Sequence, residues 1–278
     1  MPLETRVYQK ENQLKLGVLL KSSFKDLLGS HFLARQLATR DIKSQYRQSY
    51  LGLIWVFINP LTSAFVWIFL NYTGTIKLTD TGVPYPIYAM SGTLIWSIIT
   101  EAIKAPMQST RGAKGLLSKI NFPKEALVLT GIYKLLFNSG IKVLLLLVLL
   151  VVFGVDLHIS ILFFPLAILV AIVFGTTLGL FLTPIAMIYN DVFRIITMGM
   201  GLLMYVTPVV YAIPKSGMMR TIMELNPFTA IILTSRQMVL GQPLEYLGYF
   251  GVIALVSMSL FFIGLIFYRI AIPVIVER

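Results

Sequence analysis

Residues 40–60 read RDIKSQYRQSYLGLIWVFINP, and the change of character inside this stretch decides the fold. Arg40, Lys43 and Arg47 make its first part polar and basic; from Leu51 the chain turns apolar and stays so, with brief interruptions, to the C-terminus. A basic flank running into the first long apolar run holds that end of the run in the cytoplasm. The side of every later loop then follows by alternation. The expected class is an all-α polytopic membrane protein with both termini cytoplasmic.

Composition points the same way. Hydrophobic residues make up 57% of the chain and charged residues 13%, against about 45–50% and about 25% in soluble domains. The net charge of +11 would suit nucleic acid, but the basic residues gather at the edges of apolar runs. Membrane lipid headgroups are therefore the expected partner and nucleic acid is not. With no cysteine in the chain, disulfides, thiol catalysis and cysteine-ligated metals are excluded.

Working outward, residues 1–50 divide into a polar cytoplasmic arm and an amphipathic helix. Phe24, Leu27, Leu28, Phe32, Ala34, Ala38, Ile42 and Tyr46 recur on one side of a 3.6-residue period from Phe24 to Tyr46. Such a helix is too polar to cross and is expected to lie along the inner face, with Arg40, Lys43 and Arg47 among the headgroups. Arg35 falls inside the apolar stripe and is expected to snorkel or to meet a partner.

Residues 51–278 then form a six-span domain. The spans are expected at Leu51–Thr73, Tyr85–Ile103, the run up to Phe153, Ile161–Ile188, Val192–Tyr211 and Tyr246–Tyr268. Pro60 is expected to bend the first. Nine Lys/Arg precede Leu51, and Arg111, Lys114, Lys119, Lys124, Arg194, Arg269 and Arg278 join them on the inner side. Lys77, Lys215, Arg220 and Arg236 fall outside, so the bias has the required direction.

Residues 212–243 break the pattern. Two short helical stretches, Gly217–Leu225 and Phe228–Leu240, are separated by Asn226-Pro227, and proline disfavours helix at the residue before it. Each half is too short to cross a core of about 30 Å. The pair is expected to dip into the outer leaflet and return; an ordinary extracellular loop is the alternative.

The chemistry is as informative for what is missing. No G-x-x-x-x-G-K-[ST] phosphate loop occurs, the two histidines (His31 and His158) are far apart, and no span carries paired carboxylates. No enzyme and no metal site is expected. Lys134, Asn138 and Lys142 recur at i, i+4 and i+8 in the third span. They read either as a cationic wall for an anionic headgroup or, for Lys142, as the partner of a carboxylate such as Glu101. Phe65, Phe69 and Tyr72 share one face of the first span and suit either sugar rings or ordinary packing.

These residues resemble a known family. Tyr46 to Trp55 (YRQSYLGLIW), closed by Pro60, resembles the entry to the first span of bacterial polysaccharide-export permeases, the membrane subunits of type-two ATP-binding-cassette (ABC) exporters of O-antigen, capsule or teichoic acid. Lys119-Ile120-Asn121-Phe122-Pro123, within the loop 105–125, is similar to their coupling segment; Leu116 and Leu117 precede it. Pro208-Val209-Val210-Tyr211, Asn226-Pro227 and Arg236 are similar to their outer gate. Asn190 before Asp191 departs from the pattern, which has arginine there. The resemblance implies a homodimer in the bacterial inner membrane, two separate nucleotide-binding subunits that hold ATP and Mg, and a lipid-linked anionic glycan as cargo. A permease for a small lipid or drug, a secondary transporter and a membrane glycosyltransferase are the alternatives.

Overall fold

The computed structural model describes residues 16–47, 54–74, 83–117, 119–156 and 158–276, and these are helical with no strand among them. In chain order the helices are α1 (Leu16–Gly29), α2 (His31–Arg47), α3 (Ile54–Tyr72), α4 (Tyr85–Gly112), α5 (Lys114–Leu117), α6 (Glu125–Val152), α7 (Phe164–Ile188), α8 (Asn190–Leu203), α9 (Met218–Leu225), α10 (Pro227–Leu240) and α11 (Leu247–Val276). Among the described residues, α6, α11 and the segment Ile159–Ile188 are long and apolar enough to cross a membrane. Residues 1–15 of the arm expected over 1–23, residues 48–53 of the motif that carries the resemblance, and residues 75–82 of the turn with Lys77 and Asp80 lie outside the described residues; the rest of the arm is helical in α1.

The core is built around α4. Ile95, Ile98, Ile99, Ala102 and Ile103 are sealed from solvent, and α4 packs against both α6 and α7. Small residues set that approach. A Cβ on Gly175 would lie 2.5 Å from Ala102 Cβ, and one on Gly179 would lie 2.4 Å from the Ile103 carbonyl. The Gly175-x-x-x-Gly179 pair is thus the α7 face that admits α4. α11 closes against the far side of α7, and α3 lies along α4 and α6 at the edge.

Three elements differ from the sequence expectation. The single amphipathic helix is broken at Ser30 into α1 and α2; α1 packs on α6 and α11, and α2 on α6. The apolar stripe of α2 therefore has a protein face, with Ala34 and Ala38 buried and Thr130 donating to the Ala34 carbonyl at 3.4 Å. α4 continues through Pro106 to Gly112, where a polar loop was expected; Thr110 and Ser109 are buried in it by packing that hydropathy does not register. α8 is shorter than Val192–Tyr211. It ends at Leu203, passes through a 3₁₀ turn (Met204–Val206) and leaves residues 207–217 without helix. α3 stays helical through Pro60.

Candidate functional site

The end of the bundle where α4 begins is held by one buried clamp. After α8 the chain turns extended at Thr207 and offers a run of carbonyls with no helical partner. Side chains supply the donors instead. Arg236 of α10 donates to the Pro208 carbonyl at 3.2 Å and to the Val209 carbonyl. The Tyr85 hydroxyl donates to Val210 at 3.1 Å and the Tyr88 hydroxyl to Tyr211 at 3.2 Å. Arg236 also donates to Ser91 Oγ at 3.3 Å and lies 3.8 Å over the Tyr88 ring. It is 1% exposed, so its charge is balanced by carbonyl dipoles and a ring face.

The rest of the expected gate converges there. Asn226 caps α10 by accepting from Phe228 N at 3.0 Å, and its Nδ2 donates to the Val206 carbonyl and Thr207 Oγ1. Pro227 takes the first helical position, where its missing N–H costs nothing. Tyr211 is half-buried and donates to the Tyr205 carbonyl. Gly92 makes the clamp possible: a Cβ there would lie 1.8 Å from the Val209 oxygen and 2.1 Å from Arg236 Nη2. The far end of α10 is tied by Ser160 Oγ, which donates to the Met238 carbonyl at 2.8 Å, and by the left-handed cap Gly241 (φ +65). Neither Gly92 nor Ser91 carries a motif that reading one sequence would single out.

Along α6 both lysines of the stripe are paired. Lys142 Nζ lies 2.5 Å from Glu101 Oε1, its side chain 4% exposed and that of Glu101 40%. Lys134 Nζ lies 3.3 Å from Asp41 Oδ2 of α2. Each lysine thus ties α6 to a neighbouring helix, and the stripe is not a row of bare charge. Asn138 lines the cavity between them. On α3, Phe65, Phe69 and Tyr72 are exposed on one ridge, with Phe65 and Phe69 stacked at 6.4 Å. The structure does not bring that ridge to the lysines.

The opposite end, where α4 finishes, is a set of polar and ionic junctions. Arg269 of α11 reaches Asp26 of α1 at 2.7 Å and the buried Glu125 of α6 at 2.9 Å, pinning three helices. Arg111 donates to Asn190 Oδ1 at 3.0 Å and to the Ala186 carbonyl at 3.1 Å. The arginine that the loop lacks at Asn190 therefore arrives from α4. Arg40 pairs with Asp41 at 2.9 Å, while Arg35, Lys43 and Arg47 are exposed.

In the loop before α6, Leu117 is buried, Leu116 half-buried and Lys119 exposed. Phe122 is half-buried against the apolar cluster that includes Leu117, Leu127 and Leu265 rather than projecting, with Lys124 5.1 Å over its ring. Partial burial pushes the Lys124 amine below its usual pKa, and Glu125 pulls it back up. Asn121 Oδ1 accepts from Lys124, and Pro123 leads into α6. The apolar side chain this loop does present is Ile120, 56% exposed.

Residues 33–240 match the ABC-2 type transporter family. The chain is also similar to the O-antigen export system permease protein RfbA of Myxococcus xanthus, 25% identical over 236 residues that cover 81% of this chain and 89% of that relative. An O-antigen export system permease protein RfbA of Klebsiella pneumoniae is 24% identical over 82% of this chain and 88% of its own length. The matched segment begins in α2 and ends with α10, so it holds the clamp and the Arg111–Asn190 contact, while Asp26 and Arg269 lie outside it. The chain belongs to the ABC-2 type transporter family and is a multi-pass membrane protein.

Proposed function

We propose that this chain is the membrane permease of an ATP-driven exporter that moves a lipid-linked polysaccharide out of the bacterial cytoplasm across the inner membrane. The observation that carries the reading is likeness along more than four-fifths of the chain to permeases named for O-antigen export. In this reading α3, α4, α6, α7, α8 with its 3₁₀ turn, and α11 are the six spans, with N- and C-termini inside. α9 and α10 form the re-entrant pair. The amphipathic character of α9 supports this: Met218 and Leu225 are exposed while Arg220 and Glu224 pair at 2.8 Å.

Two copies form the channel. Exposed Ile195, Met198, Leu202 and Tyr205, at helical spacing along α8 and its turn, supply an apolar face for that assembly. The α3 ridge Phe65–Phe69–Tyr72 offers flat apolar surface to sugar rings. ATP and Mg are bound by two separate nucleotide-binding subunits docked on the loop 113–124, and this chain performs no catalysis itself.

The test is purification of the tagged permease from its host in mild detergent. Recovery of a dimeric permease with an equal amount of a P-loop ATPase is expected. A permease recovered as a monomer with no ATPase overturns the reading.

A further inference from the structure

Between α2, α4 and α6 lies a cavity of about 210 Å³. Its walls are polar: Gln45 from α2, Glu101, Gln108 and Ser109 from α4, and Lys134 and Asn138 from α6. Its floor is the close approach of α4 and α6, where a Cβ on Gly131 would lie 2.8 Å from both the Ala105 carbonyl and Ser109 Oγ. The clamp and the ionic junction at Arg269 do not use these walls.

The charge pattern decides what the cavity takes. Its lining cation, Lys134, is engaged by Asp41 at 3.3 Å, and its lining anion, Glu101, by Lys142 at 2.5 Å. A phosphate would have to compete with Asp41 for Lys134 while standing beside the Glu101 carboxylate. That is a poor anion site. Three side-chain amides and a carboxylate already held in place instead offer donors and acceptors to a neutral, hydroxyl-rich ligand. The volume holds about seven waters at about 30 Å³ each. It falls below the about 300 Å³ at which pockets for drug-sized ligands begin. The space inside is that of about one ring.

We infer that this cavity binds a single uncharged sugar ring, hydrogen-bonded by Gln45, Gln108, Asn138 and Glu101, and does not bind the phosphate end of a carrier lipid. The inference rests on the polysaccharide reading for the identity of the cargo and goes beyond it by separating a sugar subsite from any anion site. Gln45 and Gln108 are exposed at the cavity mouth, so changing them leaves the helix packing intact.

The experiment uses the purified permease in nanodiscs and saturation-transfer NMR with methyl glycosides of glucose, galactose, mannose and rhamnose. Inorganic phosphate in excess serves as the competitor. At least one glycoside is expected to bind. Gln108→Leu and Asn138→Leu should each weaken it by about tenfold, the loss of one or two hydrogen bonds. Phosphate should not displace it. Gln45→Leu, outside the α4–α6 contact, serves as a third variant with a wild-type melting temperature. Absence of binding by all four glycosides, binding unchanged in the three variants, or displacement by phosphate overturns the inference. Surface glycan is measured in the same strains. Wild-type export without glycoside binding removes the sugar subsite alone, whereas no glycan export by the wild type removes the exporter reading itself.

Discussion

The guanidinium of Arg236 lies 3.8 Å over the ring of Tyr88, and the hydroxyl of that same tyrosine holds the Tyr211 carbonyl. One contact thus joins α10, α4 and the extended segment after α8. The backbone between Pro208 and Tyr211 has no helix to satisfy its carbonyls, so the clamp replaces the ladder that the break removed. Each buried acceptor left without a donor costs about 1–3 kcal/mol. Arg236→Met orphans two carbonyls and is expected to lower the melting temperature of the purified permease sharply. Arg236→Lys, which keeps the charge and loses the planar fork, should fall between. Gly92→Ala should cost as much as Arg236→Met, because its methyl would lie 1.8 Å from the Val209 oxygen. An unchanged melting curve for Gly92→Ala would show that the clamp does not hold this end together.

Lys142 and Glu101 supply the second prediction. Removing one partner of a fully buried pair costs about 3–5 kcal/mol, and Glu101 is open enough to the cavity to reduce that penalty. Lys142→Met is expected to destabilise by about 1–3 kcal/mol. Adding Glu101→Gln should recover much of the loss, since no charge then stands alone. A thermal double-mutant cycle measures this; additive losses would mean that the pair is not a unit.

Much of this was legible in advance, and the exceptions have physical causes. The helix pair α9 and α10 could be read from Asn226-Pro227, because a cap residue followed by proline at the first helical position is a local signal. Lys142 and Glu101 could be named as partners because a charge inside an apolar run needs one. The extension of α4 past Ile103 was not legible, since Ser109, Thr110 and Arg111 read as loop until α7, α8 and α11 are placed beside them. Nor was the break at Ser30, where the apolar period runs on across the boundary between α1 and α2. The resemblance pointed to Arg236, but its burial against Tyr88, Ser91 and Gly92 depends on contacts between residues more than a hundred positions apart. A single sequence carries no record of them.

Topology is tested in this cysteine-free chain with single cysteines and an impermeant thiol reagent. Ser216→Cys, in the segment before α9, should react in intact cells. Lys119→Cys should react only after lysis. Labelling of both from the same side would contradict the six-span order.

Docking of the ATPase is tested at Ile120, the exposed apolar side chain of the loop 113–124. Ile120→Asp should reduce co-purified ATPase by the equivalent of 2 kcal/mol or more, about thirtyfold, as hot-spot losses do. The melting temperature of the permease alone should stay within a degree or two of wild type, as surface changes leave it within about 0.5 kcal/mol. Phe122→Ala should lower both, because its ring is half-buried in its own chain. Full ATPase recovery with Ile120→Asp would move the contact elsewhere.

The central claim is that this chain carries a polysaccharide out of the cytoplasm, and the most direct measurement is the location of that glycan when the chain is removed. Deleting the gene and staining intact and permeabilised cells for the host's lipid-linked polysaccharide separates surface material from internal material. The account predicts that surface glycan is lost, that the lipid-linked form accumulates inside, and that the wild-type gene restores export while Arg236→Met does not. Surface glycan at wild-type levels in the deletion strain would contradict it.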